Sequence, residues 1–309
     1  MTTLRIGTRA SKLARAQSTL VGAALERSLG VTVELVDVQS EGDRSGAPLT
    51  EIGGQGVFVG AVREALLDGR ADVVVHSLKD LPTVLDDRVT LAAVPVRGDP
   101  RDALVARDGL TLGELPHGSR IGTGSPRRAA QLHALGMGLE ITAIRGNVDT
   151  RIRKVTDGEL DGVVLARAGL ARIGREGDIT ESLDPIQMLP APGQGALAVE
   201  VVAGATALAD DIAEALDHAA TRCAVTAERA LLRGLEAGCS SPVGALAEVA
   251  EGDAGPEVWL RGVALAPDGS QLVRLSASGD VSDPEHLGRR LAGDMLEEGA
   301  ARLMRVPAP

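Results

Sequence analysis

Short apolar runs rich in β-branched residues alternate with amphipathic segments along the first two-thirds of the chain. Short runs between turn residues predict buried strands, whereas longer segments with apolar residues three or four positions apart predict helices. The pattern predicts strands at 1–7, 31–38, 72–76, 89–94, 141–144 and 162–165. It predicts helices at 11–29, 57–68, 126–135 and 148–157. Strands and helices in alternation indicate α/β layers with largely parallel sheets that are covered on both faces.

The remaining third of the chain has a different order of elements. The α/β pattern first continues with a strand at 196–202 and a helix at 206–216. Further on, helices are predicted at 219–235 and near 284–301, and between them strands at 245–249, 258–265 and 271–278. A helix, consecutive strands and a second helix are typical of a small α+β domain.

Two clusters of proline and glycine interrupt the pattern, at 95–100 and at 189–195. Such clusters mark turns and loops, so we expect domain boundaries there. The predicted division is domain 1 at 1–97 and 196–216, domain 2 at 98–192 and domain 3 at 218–309. Because the chain would cross twice between two α/β domains, we expect a hinged cleft, which is where such folds bind ligands.

Composition excludes several classes of partner. The chain of 309 residues carries a formal net charge of −11, which argues against binding to nucleic acid or to an anionic membrane. Its aromatic residues are Trp259 and Phe58, with no tyrosine, so stacking of bases on aromatic side chains is not expected. No apolar stretch is long enough to span a membrane, and the first residues do not resemble a secretion signal. We therefore expect a cytoplasmic protein.

Cysteine and histidine usage predicts neither a disulfide scaffold nor a metal site. The two cysteines, Cys223 and Cys239, are too few for a disulfide framework. The five histidines are scattered and do not combine with cysteines at zinc-binding spacing. We expect no metal, and both cysteines are expected to be thiols in a reducing compartment.

Positive charge is concentrated in the segment 120–175. Ten cations and five carboxylates give it a local charge of +5, so the rest of the chain carries −16. Arg127 and Arg128 begin a predicted helix, Arg145 follows a strand and Arg151 lies one turn into the next helix. These are positions where α/β proteins bind anions, and guanidinium groups pair well with carboxylates and phosphates. A solvated basic face is the alternative. A phosphate ligand is less favoured, because phosphate-binding glycine motifs are missing.

Six segments together resemble the porphobilinogen deaminase family. They are RIGTRASKLA at 5–14, VHSLKDLP at 75–82, GTGSPRR at 122–128, RGNVDTR at 145–151, PGQGA at 192–196 and GCSSPVG at 238–244. Each one alone would be weak evidence, but all six occur in the family's order. The last 65 residues resemble the family only in general character, and the loop at 51–59 lacks the lysines that the family often has there.

The resemblance implies a fold and a reaction. The fold would comprise two doubly wound α/β domains of the two-lobed periplasmic-binding-protein type, plus a small C-terminal α+β domain. The cofactor would be a dipyrromethane, attached through a thioether to Cys239. The enzyme would condense four porphobilinogen molecules head to tail on this primer, with loss of ammonia, and would release a linear tetrapyrrole. Each porphobilinogen carries two carboxylates, which suits the local positive charge. The family resemblance also favours a monomer.

Site residues are transferred from the family motif by motif. Asp80 would be the catalytic carboxylate, which helps ammonia to leave and stabilises the resulting cationic pyrrole. The expected cofactor-binding residues, besides Cys239 and Asp80, are Ser77, Lys79, Thr123, Ser125, Arg127, Arg128 and Arg151. The expected substrate-binding residues are Arg9, Ser11, Gln17, Arg145, Arg151, Arg172 and Gln194. Phe58 matches an aromatic of a loop that could cover the cleft, and His76 is expected to be structural.

Two other functions are compatible with part of this pattern. A two-lobed binding protein or sensor for a polycarboxylate would explain the doubled α/β pattern and the arginines. It would not explain Asp80 within its motif or the Gly238-Cys239 pair. A transferase acting on a phosphate ligand is disfavoured by the missing phosphate loops.

Overall fold

A computed structural model describes residues 3–38, 57–84, 86–238, 241–252 and 255–304. In chain order the strands β1 to β13 are Thr3–Arg9, Thr32–Val38, Val73–Ser77, Val89–Ala93, Asp102–Ala106, Arg120–Thr123, Glu140–Ala143, Gly162–Ala166, Glu181–Ser182, Leu197–Val202, Val243–Gly252, Gly255–Leu265 and Leu272–Asp280. The α-helices α1 to α9 are Lys12–Leu29, Val57–Leu67, Pro126–Ala134, Val148–Thr156, Arg167–Arg172, Thr206–Leu216, Ala219–Gly234, Pro284–Glu297 and Ala300–Leu303.

The predicted elements of the first two-thirds are confirmed. The first strand, predicted at 1–7, is Thr3–Arg9, and the bounds of the others differ by at most one residue. The sequence pattern missed β5, β6, β9 and α5. β6 has one large apolar side chain in four residues, and β5 directly follows a proline-rich break, so neither shows the usual signal. The last predicted helix is divided into α8 and α9, because Gly299 adopts a left-handed conformation with φ of 94°.

The structure divides the chain into two compact units. The first comprises Met1–Arg97 and Ala196–Arg222, and the second comprises Gly98–Gly195 and Cys223–Pro309. The division into three domains and the hinged cleft stay predictions.

The first unit contains a five-stranded sheet in the order β2-β1-β3-β10-β4. One face packs against Val21 and Leu25 of α1 and Ile212 of α6, and the other against Val62 and Leu66 of α2. Helices on both faces make this a doubly wound sheet, as expected. β10 is antiparallel to both of its neighbours, which corrects the prediction of largely parallel strands at this position.

The second unit contains two sheets. One has the order β7-β6-β8-β5-β9, with the apolar side of α4 on one face and Leu132 of α3 on the other. The second is an antiparallel sheet of β11, β12 and β13, which packs against α7 and α8. Two doubly wound sheets and a small C-terminal sheet with its own helices confirm the predicted fold class.

Candidate active site

The segment that carries the predicted catalytic carboxylate follows a buried strand. β3 is buried from Val73 to Val75 and ends at Ser77, where a single 3₁₀ turn, Leu78–Asp80, begins. Leu78 is fully buried and anchors the turn, whereas Asp80 is exposed. The buried strand and the anchored turn therefore hold an ionisable carboxylate at the protein surface.

Five predicted site residues line one small pocket of the first unit, with a volume of about 80 Å³: Arg9, Ser11, Gln17, Ser77 and Asp80. Gln17 is buried, and its side-chain amide donates a hydrogen bond of 2.8 Å to Ser77 Oγ. Ser11 Oγ accepts a hydrogen bond of 3.3 Å from the Ala14 N–H and so caps α1. The structure therefore brings together Gln17 and side chains that the sequence places in two separate motifs.

A buried ion pair lies behind this pocket. His76, which also lines the pocket, has its Nε2 atom 3.5 Å from Glu200 Oε2. Arg63 donates two hydrogen bonds, of 2.8 and 2.6 Å, to the carboxylate of Glu200. Burial raises the pKa of the Glu200 carboxyl, but Arg63 and His76 outweigh burial and lower it to about 2. His76 is thus buried beside a carboxylate, but its Nε2 atom makes no hydrogen bond to a described residue. Its structural role stays a prediction.

In the second unit, Arg127 and Arg128 are buried around a single carboxylate. Asp102, the first residue of β5, is 0% exposed and accepts hydrogen bonds of 2.7 Å from Arg127 Nη1 and from Arg128 Nη2. Arg128 Nε donates another, of 3.0 Å, and Gln194 Nε2 donates a fourth, of 2.8 Å, to the same carboxylate. Burial would raise the pKa of the Asp102 carboxyl, but the charges of both arginines outweigh it and hold the pKa well below its usual range.

Asp102 is the residue of this cluster that sequence reasoning missed. It is the first residue of β5, Asp102–Ala106, a strand that the apolar pattern did not predict. The only local signal of its role is that it is a charged residue at the start of a buried strand. Nothing in the sequence indicates that α3 and residue 194 meet it.

Arg151 lies near Arg128 of this cluster, and Arg145 lies near Arg151. Arg151 donates a hydrogen bond of 2.8 Å from Nε to the carbonyl of Gly146, and its helix α4 is capped by Asn147. Burial lowers the pKa of Arg151, as do the charges of Arg128 and Arg145. Within the described part of the chain no carboxylate contacts Arg151. A partly buried guanidinium without an acidic partner is a suitable donor for an anionic ligand.

The remaining predicted residues of the second unit mostly contact backbone. Arg172 donates a hydrogen bond of 2.5 Å from Nη2 to the carbonyl of Gly195, and burial lowers its pKa to about 10. Thr123 Oγ1 accepts a hydrogen bond from the Ser125 N–H, and Ser125 Oγ caps α3 by accepting one from the Arg128 N–H. These two hydroxyls therefore shape the turn that leads into Arg127.

Some predicted features lie outside the described residues. These are Cys239, the side chain of Phe58 and most of the loop at 42–58. Cys223 is described: its half-buried thiol donates a hydrogen bond of 3.3 Å to the Val281 carbonyl, and burial raises its pKa. A raised thiol pKa means low reactivity, which suits the structural role expected for this cysteine.

The donor set fits a ligand with several carboxylates. Arg127, Arg128 and Arg151 contribute three positive charges, and Asp102 is a carboxylate that pairs with the first two of them. The Nε atom of Arg127 is buried without a hydrogen-bond partner. Among the residues that the structure describes, no group of three His, Cys, Asp or Glu side chains is placed to hold a metal ion.

Comparison with protein families decides between the alternatives. A model described as "Porphobilinogen deaminase, dipyromethane cofactor binding domain" matches residues 4–210, and "Porphobilinogen deaminase, C-terminal domain" matches 222–297. The chain belongs to the porphobilinogen deaminase family. The predictions of an enzyme of this family and of a dipyrromethane cofactor are confirmed, whereas the attachment through Cys239 stays a prediction. The second match corrects our expectation that the last 65 residues resemble the family only in general character.

Individual relatives agree with this assignment. Porphobilinogen deaminase of Mycobacterium bovis is 58% identical over 306 residues, which covers 97% of this chain and 98% of the relative. Porphobilinogen deaminase of Mycobacterium marinum is 57% identical and covers 97% of this chain and 96% of the relative. The family assignment favours a deaminating transferase over a binding protein or a transferase acting on a phosphate ligand.

Solved structures show a more distant similarity. Immunogenic lipoprotein A from Vibrio vulnificus is 14% identical, covers 69% of this chain and 94% of its own, and has a TM-score of 0.44. An arginine-specific periplasmic binding protein of Salmonella typhimurium is 16% identical, covers 70% and 92%, and has a TM-score of 0.40. Across the described residues, no helix has the length and apolar character that crossing a membrane requires.

Proposed function

We propose that this chain condenses four porphobilinogen molecules head to tail on a covalently bound dipyrromethane and releases ammonia and the linear tetrapyrrole hydroxymethylbilane. The observation that carries the proposal is the pocket in which the exposed carboxylate of Asp80 lies beside Arg9, Ser11, Gln17 and Ser77. It combines one ionisable group with donors for carboxylates, which is what a deaminating condensation of an acidic substrate requires.

Asp80 would act at the aminomethyl nitrogen of porphobilinogen. A proton delivered there allows the carbon–nitrogen bond to break, and ammonia leaves. The ionised carboxylate then stabilises the positive charge that remains on the pyrrole. A new carbon–carbon bond forms to the next ring, which loses a proton. An exposed position in a rigid turn after β3 gives Asp80 access to both charges.

The other predicted residues would bind carboxylates. Arg9, Ser11, Gln17, Arg145, Arg151, Arg172 and Gln194 would bind the incoming substrate or the growing chain. Ser77, Lys79, Thr123, Ser125, Arg127, Arg128 and Arg151 would hold the cofactor. The dipyrromethane, when bound, supplies the free pyrrole carbon from which the chain grows. The contribution of this protein is to neutralise the carboxylates and to orient the rings near Asp80.

The proposal includes the chemical context of the chain. Cys239 would bear the cofactor through a thioether, and porphobilinogen would be the small-molecule partner. We expect a cytoplasmic monomer that binds neither nucleic acid nor membranes, in keeping with the net charge of −11.

The intact mass of the purified protein tests the function and the attachment site together. We expect an added mass equal to two linked pyrrole units, located by peptide mapping on Cys239. The variant Cys239→Ala should lack this mass and turn over no porphobilinogen. Cys223→Ala is the matched control, because it removes the other cysteine of the chain, and it should keep both the added mass and the activity.

Two results would contradict the proposal. A modified Cys223 or a fully active Cys239→Ala protein would exclude Cys239 as the attachment site. If the unmodified wild-type protein neither gains mass nor releases ammonia when it is incubated with porphobilinogen, the assignment as an active deaminase fails.

A further inference from the structure

One carboxylate gathers three residues that belong to two predicted binding sets. Asp102 Oδ2 accepts a hydrogen bond from Arg127 Nη1, and its Oδ1 accepts from Arg128 and from Gln194. Arg127 and Arg128 are predicted to hold the cofactor, and Gln194 to bind substrate. Asp102 itself was assigned no role in binding or catalysis.

The geometry around Asp102 leaves both guanidinium groups little freedom. The side chains of Arg127 and Arg128 are 4% and 7% exposed, and Asp102 is not exposed at all. Arg127 Nη1 also donates to the Leu189 carbonyl at 2.6 Å, and Arg128 Nη1 donates to the Val164 carbonyl at 3.0 Å. Without Asp102, neutral carbonyls would be the main groups that hold two buried positive charges.

Charge balance points in the same direction. The guanidinium groups of Arg127 and Arg128 share the carboxylate of Asp102. These three buried side chains together therefore carry one excess positive charge. Arg151 adds a further charge close to Arg128. Buried charges require compensation, and an anionic ligand would provide it. Asp102 therefore leaves enough positive charge for a ligand while it prevents the arginines from repelling each other.

We infer that Asp102 is a positioning residue: it orients Arg127, Arg128 and Gln194 toward the bound tetrapyrrole chain. It also sets the net charge of this cluster to one positive charge. The inference rests on the proposed function, because it presumes that these three residues hold cofactor and substrate. Asp102 is suited to this task because it begins β5 and pairs in register with Ala166, so its backbone is fixed within the sheet.

The test is the variant Asp102→Asn, in which the side chain keeps its shape and loses its charge. Intact mass gives the fraction of molecules that carry the two-pyrrole adduct, and the rate of porphobilinogen consumption is divided by that fraction. We expect kcat per loaded molecule to fall by roughly 30-fold, because small errors in the position of reacting groups reduce rates strongly. A purely structural role would lower the yield and the melting temperature but not this normalised rate.

Asp161→Asn is the matched control in the same unit. Asp161 also serves two arginines: its carboxylate accepts a hydrogen bond of 2.8 Å from Arg107 Nε and one of 2.7 Å from the Arg120 N–H. It precedes β8, whereas Asp102 pairs with the last residue of that strand, so the two carboxylates lie at opposite ends. We expect this control to keep kcat per loaded molecule within about twofold of wild type, the range expected for a site without contact to the ligand.

Asp102→Glu keeps the charge but moves the carboxylate by one methylene group. It should load cofactor as wild type does and leave kcat per loaded molecule roughly fivefold below wild type, since position matters as well as charge. This variant decides the matter if Asp102→Asn does not fold. A wild-type kcat per loaded molecule in either variant, or failure of both to fold, would overturn the inference. A wild-type protein without adduct or turnover would instead refute the proposed function.

Discussion

At the scale of single residues, burial separates the carboxylates of this protein into two groups. Asp102 is buried between two arginine side chains and Glu200 is buried beside one, so their negative charges stabilise neighbouring cations. Asp80 is exposed at the end of a buried strand, where it lines the pocket of the first unit. Buried and paired carboxylates hold neighbouring cations in place, whereas an exposed carboxylate in a pocket is available for proton transfer.

Replacement of Asp80 by asparagine should separate catalysis from folding. We expect kcat for porphobilinogen to fall by about 10²- to 10⁴-fold, the usual contribution of a positioned acid–base group. The melting temperature should be nearly unchanged, because the side chain is exposed. Steady-state kinetics and thermal unfolding measure the two effects. Asp87→Asn, an exposed aspartate of the same unit, is the control, and equal activity of both variants would remove Asp80 from the site.

The buried pair of Glu200 and Arg63 should make stability dependent on pH. The pKa of Glu200 is lowered to about 2 in the folded protein. Its contribution to the free energy of unfolding is therefore complete at pH values above its pKa in the unfolded chain. That contribution is lost as the pH falls through its pKa in the folded protein. The shift corresponds to about 3 kcal/mol. We expect Glu200→Gln to lower the free energy of unfolding by this order at pH 7, and the difference from wild type to shrink between pH 4.5 and 2. Denaturant unfolding at several pH values measures it, and a difference independent of pH would contradict the argument.

At the scale of elements, turns and caps place the site residues. Ser11, Ser125 and Asn147 each accept a hydrogen bond from a backbone N–H in the first turn of a helix, and so set where α1, α3 and α4 begin. The hairpin between β12 and β13 contributes in another way, because Gly269 packs on the last turn of α3. The helix that carries Arg127 is thus held at both of its ends.

Gly269→Ala should loosen the packing of this hairpin on α3. Gly269 has a φ of +72°, and an added Cβ would lie 2.5 Å from the Ala134 nitrogen and 2.6 Å from the Ala130 oxygen. Gly174→Ala is the control, since Gly174 has a φ of +71° with no atom within 4 Å of the added Cβ. We expect a loss of about 1 kcal/mol from the backbone conformation in the control and at least about 2 kcal/mol at Gly269. Urea unfolding compares them, and equal losses would show that the contact does not matter.

At the scale of the whole molecule, charge is distributed unevenly. Residues 120–175 carry +5 and the rest of the chain carries −16. Some of these cations are paired on the surface, such as Lys154 with Glu159 and Arg120 with Asp161. Others have no carboxylate among the described residues, as is the case for Arg151 and Arg172. The positive potential is therefore concentrated at residues that we propose for substrate binding.

Raising the salt concentration should weaken substrate binding more than catalysis. Between about 0.05 M and 0.5 M sodium chloride the screening length falls from roughly 14 Å to 4 Å, which weakens attraction between the acidic substrate and exposed arginines. We expect KM for porphobilinogen to rise several-fold and kcat to change by less than about twofold. Initial rates at each salt concentration measure this, with thermal unfolding as a control for the fold. A KM that does not depend on salt would exclude long-range attraction as a contribution to binding.

The sequence by itself determined the local structure and the chemistry. Periodicity of apolar residues predicted most helices and most strands, because burial of one face is a local requirement of each element. The six motifs indicated the family, and with it Asp80 and the arginines, because the chemistry of the site depends on residue types at fixed short spacing. The short strands Asp102–Ala106 and Arg120–Thr123 were missed, since they are stabilised by neighbouring strands and not by their own pattern.

Only the tertiary structure decided which of these residues share one environment. β10 is antiparallel to β3 because the chain re-enters the sheet after more than a hundred residues, and no local signal records its direction. In the same way, Arg127, Arg128 and Gln194 meet at Asp102 although they come from distant segments. Ion pairing in a buried place depends on distance in space and on the exclusion of water, and both arise only when the sheets and helices have packed.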